Sequence, residues 1–511
     1  MLSDPAQVQD AMLARILAAN HGCAYLQEFG AASMARRQQY QSRVPICTYE
    51  EIFPAILRAA HGERGVLTCA PVIAFEPTGG STAGPKLIPY TQAGLNEFRD
   101  GLTAWLDDLF DGFPELDNGN FYWSLSPACR EAAATAGGIP IGLPSDAHYF
   151  GAELAPAIFD ALAVPSAIGQ IRNLETWRLA TLAQLLAQDR LSLISIWSPT
   201  FLTSLLQQAV RHRDLLAQII ATGTWMGTVH ETCGVAAPSA NATRATLVAS
   251  LLADAAPDWT RLWPGLRVIS CWDQASSRVS AHALRQNFPN AVLQGKGLLA
   301  TESLMSIPLT GHEFPVLAIE SGYFEFRDST GRLYPADRVE LDGVYDIVLT
   351  NSSGLYRYAI GDTVKVRGFA ARTPTLEFLG RGALTSDLCG EKLTEAFVLE
   401  CIAPLNLTFA VLAAETGGAG YALILDKAAV STDAAADIAN RIDARLSSNP
   451  QYQYARQMGQ LAALRPLRRR QPMELWISTR MQEGQRMGDI KIPTLLADPV
   501  AAHLFLAHEP V

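Results

Sequence analysis

The chain has 511 residues, 49% of them hydrophobic and 18% charged, with a formal net charge of 40 − 50 = −10. That size predicts roughly two to four domains around a large core, and the acidic balance excludes a general nucleic-acid-binding surface. The N-terminal MLSDPAQVQDAMLARILAANHG lacks the basic start and apolar run of a signal peptide, and no stretch approaches the roughly 18 apolar residues of a membrane span. A cytoplasmic protein is expected. The eight cysteines include no CxxC pair and read as reduced thiols. The nine histidines show no HExxH spacing, so no zinc site is proposed.

Residues 5–70 alternate amphipathic helical patterns with short loops, YEEIFPAILRAAHG among them. GVLTCAPVIAF (65–75) predicts β structure leading into the loop FEPTGGSTAGPKLIPYT (75–91). Residues 150–260 predict mostly helices, including WRLATLAQLLAQ and SLLQQAVRHRDLLAQII. Between these, LSLISIWSPTFL reads as a buried strand ending at a turn. GLRVISCWD (265–273) and NAVLQGKGLL (290–299) are apolar throughout, the pattern of parallel strands. From 314 to 367 short β runs separated by turns predict an antiparallel sheet or small barrel. Beyond 395, LTFAVLAAE, GYALILD and MELWIST read as strands and TDAAADIANRIDARLSS as a helix. The basic RPLRRR (465–470) reads as a solvated face or, alternatively, as a contact for a phosphate or partner. The expected fold is therefore α/β. A large N-terminal domain (1–380) combines parallel sheets and helices with a small β-barrel-like subdomain. A small α+β domain (381–511) follows.

Four segments carry candidate chemistry. Glycines in the 75–91 loop let backbone N–H groups approach a phosphate, its hydroxyls donate, and Lys86 adds charge. A plain surface loop has the same composition. Pro85 between Gly84 and Lys86 excludes a Walker A loop, and glycines at 79, 80 and 84 exclude GxGxxG. In GLLATESLMSIP (297–308), Thr301 beside Glu302 suits a phosphate and its Mg²⁺. GLYRYAIGD (354–362) ends with Asp362 at a turn after a strand, as a ribose acceptor or an Asx turn. GDIKIPTLL (488–496) places Lys491 near the C-terminus. Only six of the forty basic residues are lysine (86, 296, 365, 392, 427 and 491), so a retained lysine draws notice as a compact ammonium.

TGGSTAGPK, then ATE, then GLYRYAIGD, then a late lysine together resemble the adenylate-forming superfamily. Within it, GLYRYAIGD, LWPGLRVISCWDQASS (262–277) and YFEF (323–326) resemble the auxin-responsive acyl-acid amido synthetases and their bacterial relatives. The resemblance spans about 50–495. The first motif departs from the family's SSGTSxGxxK, with Gly79 in place of a hydroxyl, and its SSE is here Ala300-Thr301-Glu302.

The resemblance implies a ligase that adenylates a small carboxylic acid with ATP and Mg²⁺, then transfers the acyl group to an amine such as an amino acid. Transfer to a thiol, of coenzyme A or a carrier protein, is the alternative. Thr78, Gly79, Gly80, Ser81, Thr82, Gly84 and Lys86 would hold the β- and γ-phosphates, Thr301 the α-phosphate, Asp362 the ribose and Glu302 the metal. Lys491 would stabilise charge on the α-phosphate, with Lys392 as a second candidate. The C-terminal domain would swing about a hinge near 381–388, with the nucleotide-side Arg381 between flanking glycines. Tyr122, Trp123, Trp197 and Ser198 are candidates for the acid pocket, or are plain core.

Overall fold

The computed structural model describes residues 2–30, 36–77, 86–124, 133–143, 147–254, 256–381, 385–386, 388, 391, 393–415, 420–457, 460–497 and 499–506. It divides into two compact units. The first contains Met1–Asn118, Cys129–Leu162 and Gly295–Leu379. The second contains Gly119–Ala128, Ala163–Gln294 and Gly380–Val511. The chain thus passes between units beside the expected 380/381 boundary, while the C-terminal segment shares its unit with residues 163–294.

In the first unit the expected antiparallel subdomain is a seven-stranded sheet. Its strand order is Ser306–Ile307, Val316–Leu317, Thr373–Arg381, Tyr358–Ala370, Val344–Thr350, Tyr323–Arg327 and Leu333–Pro335. Side chains alternate between buried and half-buried over the first nine residues of Tyr358–Ala370, the period-2 signature of a strand with one face in the core. Ile52 and Ile56 of the helix Tyr49–Ala60 pack in the same apolar cluster as Phe324, Ile347 and Val364.

A second sheet of this unit contains the antiparallel hairpin Ala74–Pro77 with Leu87–Tyr90, registered from Ala74↔Tyr90 to Pro77↔Leu87. The residues before Ala74 in the GVLTCAPVIAF run form no strand, so the expected β stretch is shorter than its composition suggested. Thr91 then caps the helix Gln92–Gly112, its hydroxyl accepting from the Gly94 N–H at 3.1 Å.

The GLYRYAIGD motif proves to be largely structural. Gly354 has φ +98°, and a Cβ there would lie 2.7 Å from Leu67 Cβ. The Tyr356 hydroxyl donates to Leu67 O at 2.8 Å. Arg357 has left-handed backbone at φ +48°. Its guanidinium grips the fully buried Glu325 through two bonds of 2.9 and 3.0 Å and donates to Gln41 O and Val44 O. Asp362 does not sit at a turn, as expected, but inside the strand Tyr358–Ala370. The register runs Val348↔Ala359 and then Asp346↔Thr363, so two extra residues bulge out beside Gly361 at φ +86°.

In the second unit, Asn120–Trp123, Leu191–Ser195 and Val268–Cys271 form the expected parallel sheet, with Val292–Gly295 at its edge. Helices Leu174–Ala187, Pro199–Arg211 and Arg278–Asn287 contribute to the surrounding core. A separate sheet runs Arg465–Arg469, Tyr421–Asp426, Ala410–Ala414, Leu495–Leu496. MELWIST is helical, not a strand. It lies in Pro472–Gln482, where proline at the first helical position supplies the preset φ that starts the helix. RPLRRR forms a paired edge strand along which exposure falls from Arg465 to Arg469. Arg469 is buried and donates to Phe505 O, while Arg465 pairs with Glu415.

The Arg357–Glu325 pair yields a thermodynamic prediction. Arg357→Leu alone strands a buried carboxylate and should destabilise the first unit by roughly 3–5 kcal/mol, whereas Arg357→Leu with Glu325→Leu should cost less. Denaturant unfolding of both variants checks the order. A double variant less stable than the single one contradicts it.

Candidate active site

In the first unit the expected phosphate loop is a hairpin connection. Thr78, Gly79, Gly80, Ser81, Thr82 and Gly84 lie outside the described residues, but Pro77 and Leu87 are strand partners and hold the loop's two ends side by side. Lys86 stands at the exit. Its ammonium is 3.7 Å from the exposed Glu50 carboxylate and 4.9 Å from the Tyr49 ring centroid, and the Tyr49 hydroxyl accepts from the Leu87 N–H.

Thr301 and Glu302 form the tip of a two-residue hairpin, since Ala300 pairs with Ser303. Both backbone carbonyls at this tip are tied down. Thr301 O accepts from the Tyr90 hydroxyl at 2.7 Å, and Glu302 O from the Asn351 side-chain amide at 2.9 Å. Tyr90 ends the strand that follows residues 78–86, and Asn351 precedes Gly354. The candidate phosphate loop, the candidate metal residue and the GLYRY turn are therefore joined by two hydrogen bonds.

A third contact reinforces this. Glu97, buried on the helix Gln92–Gly112, accepts from the Ser352 N–H at 2.9 Å and from its hydroxyl at 2.5 Å. Burial holds the Glu97 carboxyl above its usual range, against those bonds and the Arg15 guanidinium 3.4 Å away. The helix reaches this loop because a side chain at Gly94 would overlap Ser353 Oγ, at 1.9 Å. Tyr90, Glu97, Phe98, Glu302, Ser321 and Asn351 line a small pocket here. Asp362, on its bulge, is 4% exposed.

In the second unit Lys491 and Trp197 share one neighbourhood. The Lys491 ammonium lies 4.1 Å from the Trp272 ring centroid, and Trp272 packs on Trp197 with centroids 5.8 Å apart. Trp197 and Trp272 sit just past the carboxyl ends of the adjacent parallel strands Leu191–Ser195 and Val268–Cys271, where α/β sheets place ligands. Ser198, by contrast, pairs its hydroxyl with Thr200 at 2.6 Å where the helix Pro199–Arg211 begins. Tyr122 is fully enclosed in the apolar core, its hydroxyl without a partner among the described residues. Trp123, half-buried, ends the neighbouring strand. Arg381 ends the strand Thr373–Arg381, and Lys392 lies outside the described residues.

Trp272 and Asp273, within SCWDQ, carry no functional signal of their own in the sequence. Burial pushes the Asp273 carboxyl up to about 6, opposed by its own backbone N–H and by Arg278. Tyr90, Glu97 and Asn351 carried no motif signal at all. Each acts through a single hydrogen-bonding group on an otherwise ordinary helix, strand end or turn.

The GH3 family N-terminal domain matches residues 1–293 and the GH3 family central domain residues 315–381. An indole-3-acetic acid-amido synthetase of Oryza sativa subsp. indica is 26% identical over 442 residues, covering 76% of this chain and 68% of that protein. A jasmonoyl–L-amino acid synthetase of Nicotiana attenuata is 25% identical over 427 residues, covering 77% and 72%. In fold, the structure of an acyl acid amido synthetase in complex with 2,4-DB matches with a TM-score of 0.87 at 20% identity, covering 99% of this chain and 94% of that one. A 2-hydroxyisobutyryl-CoA ligase in the postadenylation state matches with a TM-score of 0.53 at 12% identity, covering 94% and 91%.

Asp273 offers a pH test. A raised carboxyl pKa means the folded state keeps a proton that the unfolded state releases, so stability falls as pH rises from about 4 to about 6 and then levels off. Measured against Asp273→Asn, which does not titrate, wild type should lose roughly 3 kcal/mol across that window. Parallel stability curves for the two proteins would refute it.

Proposed function

The chain belongs to the GH3 family, and from that premise we propose that it is an ATP-dependent ligase that adenylates a small carboxylic acid and conjugates it to the amino group of an amino acid. A substrate carboxylate oxygen attacks the α-phosphorus of ATP, the P–O bond to pyrophosphate breaks, and an acyl-adenylate forms. The amine nitrogen then attacks the acyl carbon, the bond to AMP breaks, and the ammonium proton is released with the amide in place. The observation that carries this reading is the tied assembly in the first unit. The Thr301–Glu302 tip is bonded to the strand leaving the 78–86 loop and to the GLYRY turn, which supports one polyphosphate site built from all three.

Within that reading, the backbone and hydroxyls of Thr78–Thr82 with Gly84 and Lys86 cradle the β- and γ-phosphates. Thr301 addresses the α-phosphate, and Asp362, re-aimed by its bulge, accepts from the ribose hydroxyls. Mg²⁺ fits the donor set: Glu302 is a buried carboxylate beside a hydroxyl, and Mg²⁺ is commonly bound by one or two carboxylates plus substrate phosphates. When bound, the metal neutralises phosphate charge. Lys491 stabilises the negative charge that shifts onto the α-phosphate as the acid attacks. We assign residues 1–380 to an ATP- and acyl-binding domain and 381–511 to a swinging domain that delivers Lys491, with Arg381 at the hinge. Lys392 is held as the second phosphate contact. Among the described residues no helix is long and apolar enough to cross a membrane, and we place the reaction in the cytoplasm.

Two expected outcomes test these roles. Asp362→Ala should weaken ATP binding about ten- to a hundredfold, the scale of losing hydrogen bonds to a charged group, with the circular dichroism spectrum unchanged. Equal use of ATP and 2′-deoxy-ATP by wild type would remove that assignment. Lys491→Ala should slow acid-dependent pyrophosphate exchange by at least ~100-fold while sparing amide formation from a presynthesised acyl-adenylate. An unaltered exchange rate would move the role to Lys392.

A further inference from the structure

We propose that Trp272 is the positioning residue that seats the Lys491 ammonium for adenylation. The proposal rests on Lys491 being the adenylation lysine. Its basis is a contact held firmly from both sides. On one side, the Trp272 N–H donates to Trp197 O at 2.8 Å, extending the parallel pairing past the strand ends, and Trp197 backs the ring. On the other, the Trp476 indole N–H donates to Lys491 O at 2.8 Å. Ile490 beside it is buried in the apolar core. Three residues on, the Thr494 N–H is bound by the Glu395 carboxylate at 2.8 Å. Backbone and ring are thus both fixed, and the ammonium meets the ring face at 4.1 Å.

An aromatic face suits the task. It attracts and orients an ammonium through the ring quadrupole without neutralising it, while the Glu395 carboxylate, which also feels Lys491, accepts from Thr494. Trp272 belongs to the 163–294 segment and Lys491 to the segment proposed to swing. Under the proposed swing the contact would exist in one arrangement of that segment and be lost in another, restricting its influence to the half-reaction that uses Lys491.

The test is a graded series, Trp272→Phe and Trp272→Leu, each alone and the latter combined with Lys491→Ala. Leucine keeps an apolar side chain and removes the π face, while phenylalanine keeps a weaker one. Acid-dependent pyrophosphate exchange should slow in the order Trp, Phe, Leu, with Trp272→Leu down about tenfold in kcat and the KM for ATP unchanged. Amide formation from presynthesised acyl-adenylate should stay at the wild-type rate. The double variant should be no slower than Lys491→Ala alone, because a seat without its lysine has nothing to position. A Trp272→Leu enzyme that exchanges at the wild-type rate while Lys491→Ala is crippled overturns the proposal and leaves the lysine assignment standing. Losses that multiply in the double variant, or equal slowing of both half-reactions, make Trp272 a packing residue and also overturn it. A Lys491→Ala enzyme with normal exchange removes the lysine assignment and the proposal with it.

Discussion

A buried guanidinium–carboxylate pair organises the first unit. Arg357 and Glu325 are 4% and 0% exposed, and neither could remain charged there without the other. The pair is bidentate, and the remaining donors of Arg357 close on the backbone of Gln41 and Val44. The backbone around the arginine is equally committed. Cys47 and Ala359 bridge across it, and Thr350 Oγ1 accepts its N–H. Three separate stretches of chain, near 41–47, 323–327 and 350–359, therefore meet at one residue. Its left-handed conformation is sustained by that convergence. The strand carrying Asp362 starts from this point, as does the loop that ties down Glu302.

Much of the architecture was legible in the amino-acid pattern. The parallel strands 191–195 and 268–271 announced themselves as unbroken apolar runs, because both of their faces are covered. The antiparallel sheet announced itself through alternation and turns. The failures have local causes. MELWIST has the apolar content of a strand, and only Pro472 at the helix start tells against it. GVLTCAPVIAF is only partly paired: Ala74 and Phe75 join a strand, Val66 and Leu67 are buried outside any strand, and Cys69 to Pro71 are exposed. Composition reports burial directly and pairing only indirectly.

The candidate site was legible where chemistry concentrates in a short motif and illegible where it is spread over single contacts. GLYRYAIGD was recognisable, yet most of its letters encode scaffolding: Gly354 for close approach to Leu67, Tyr356 and Arg357 for anchoring, Gly361 for a bulge. Asp362 is the motif's proposed ligand group. Trp272 presents the opposite case. Nothing in one sequence says that an indole following a buried strand will receive a lysine from more than two hundred positions away. The C-terminal sheet adds a related lesson. Along Ala410–Ala414, alternate residues enter two different cores, Val411 and Ala413 one and Ala410, Leu412 and Ala414 the other. Such a strand reads as a single apolar run.

The hairpin that brackets residues 78–86 separates two properties usually entangled. The pairing of Pro77 with Leu87 fixes the frame, while the side chains that would meet the phosphates fall in the connection between them. Lengthening such a connection is cheap, since doubling a loop adds only about 0.6 kcal/mol of closure entropy. Nucleotide affinity can thus drift over generations without a matching change in folding stability. Gly79, where the resemblance to the superfamily leads one to expect a hydroxyl, lies within this connection. Selection on grip and selection on fold act here on different residues.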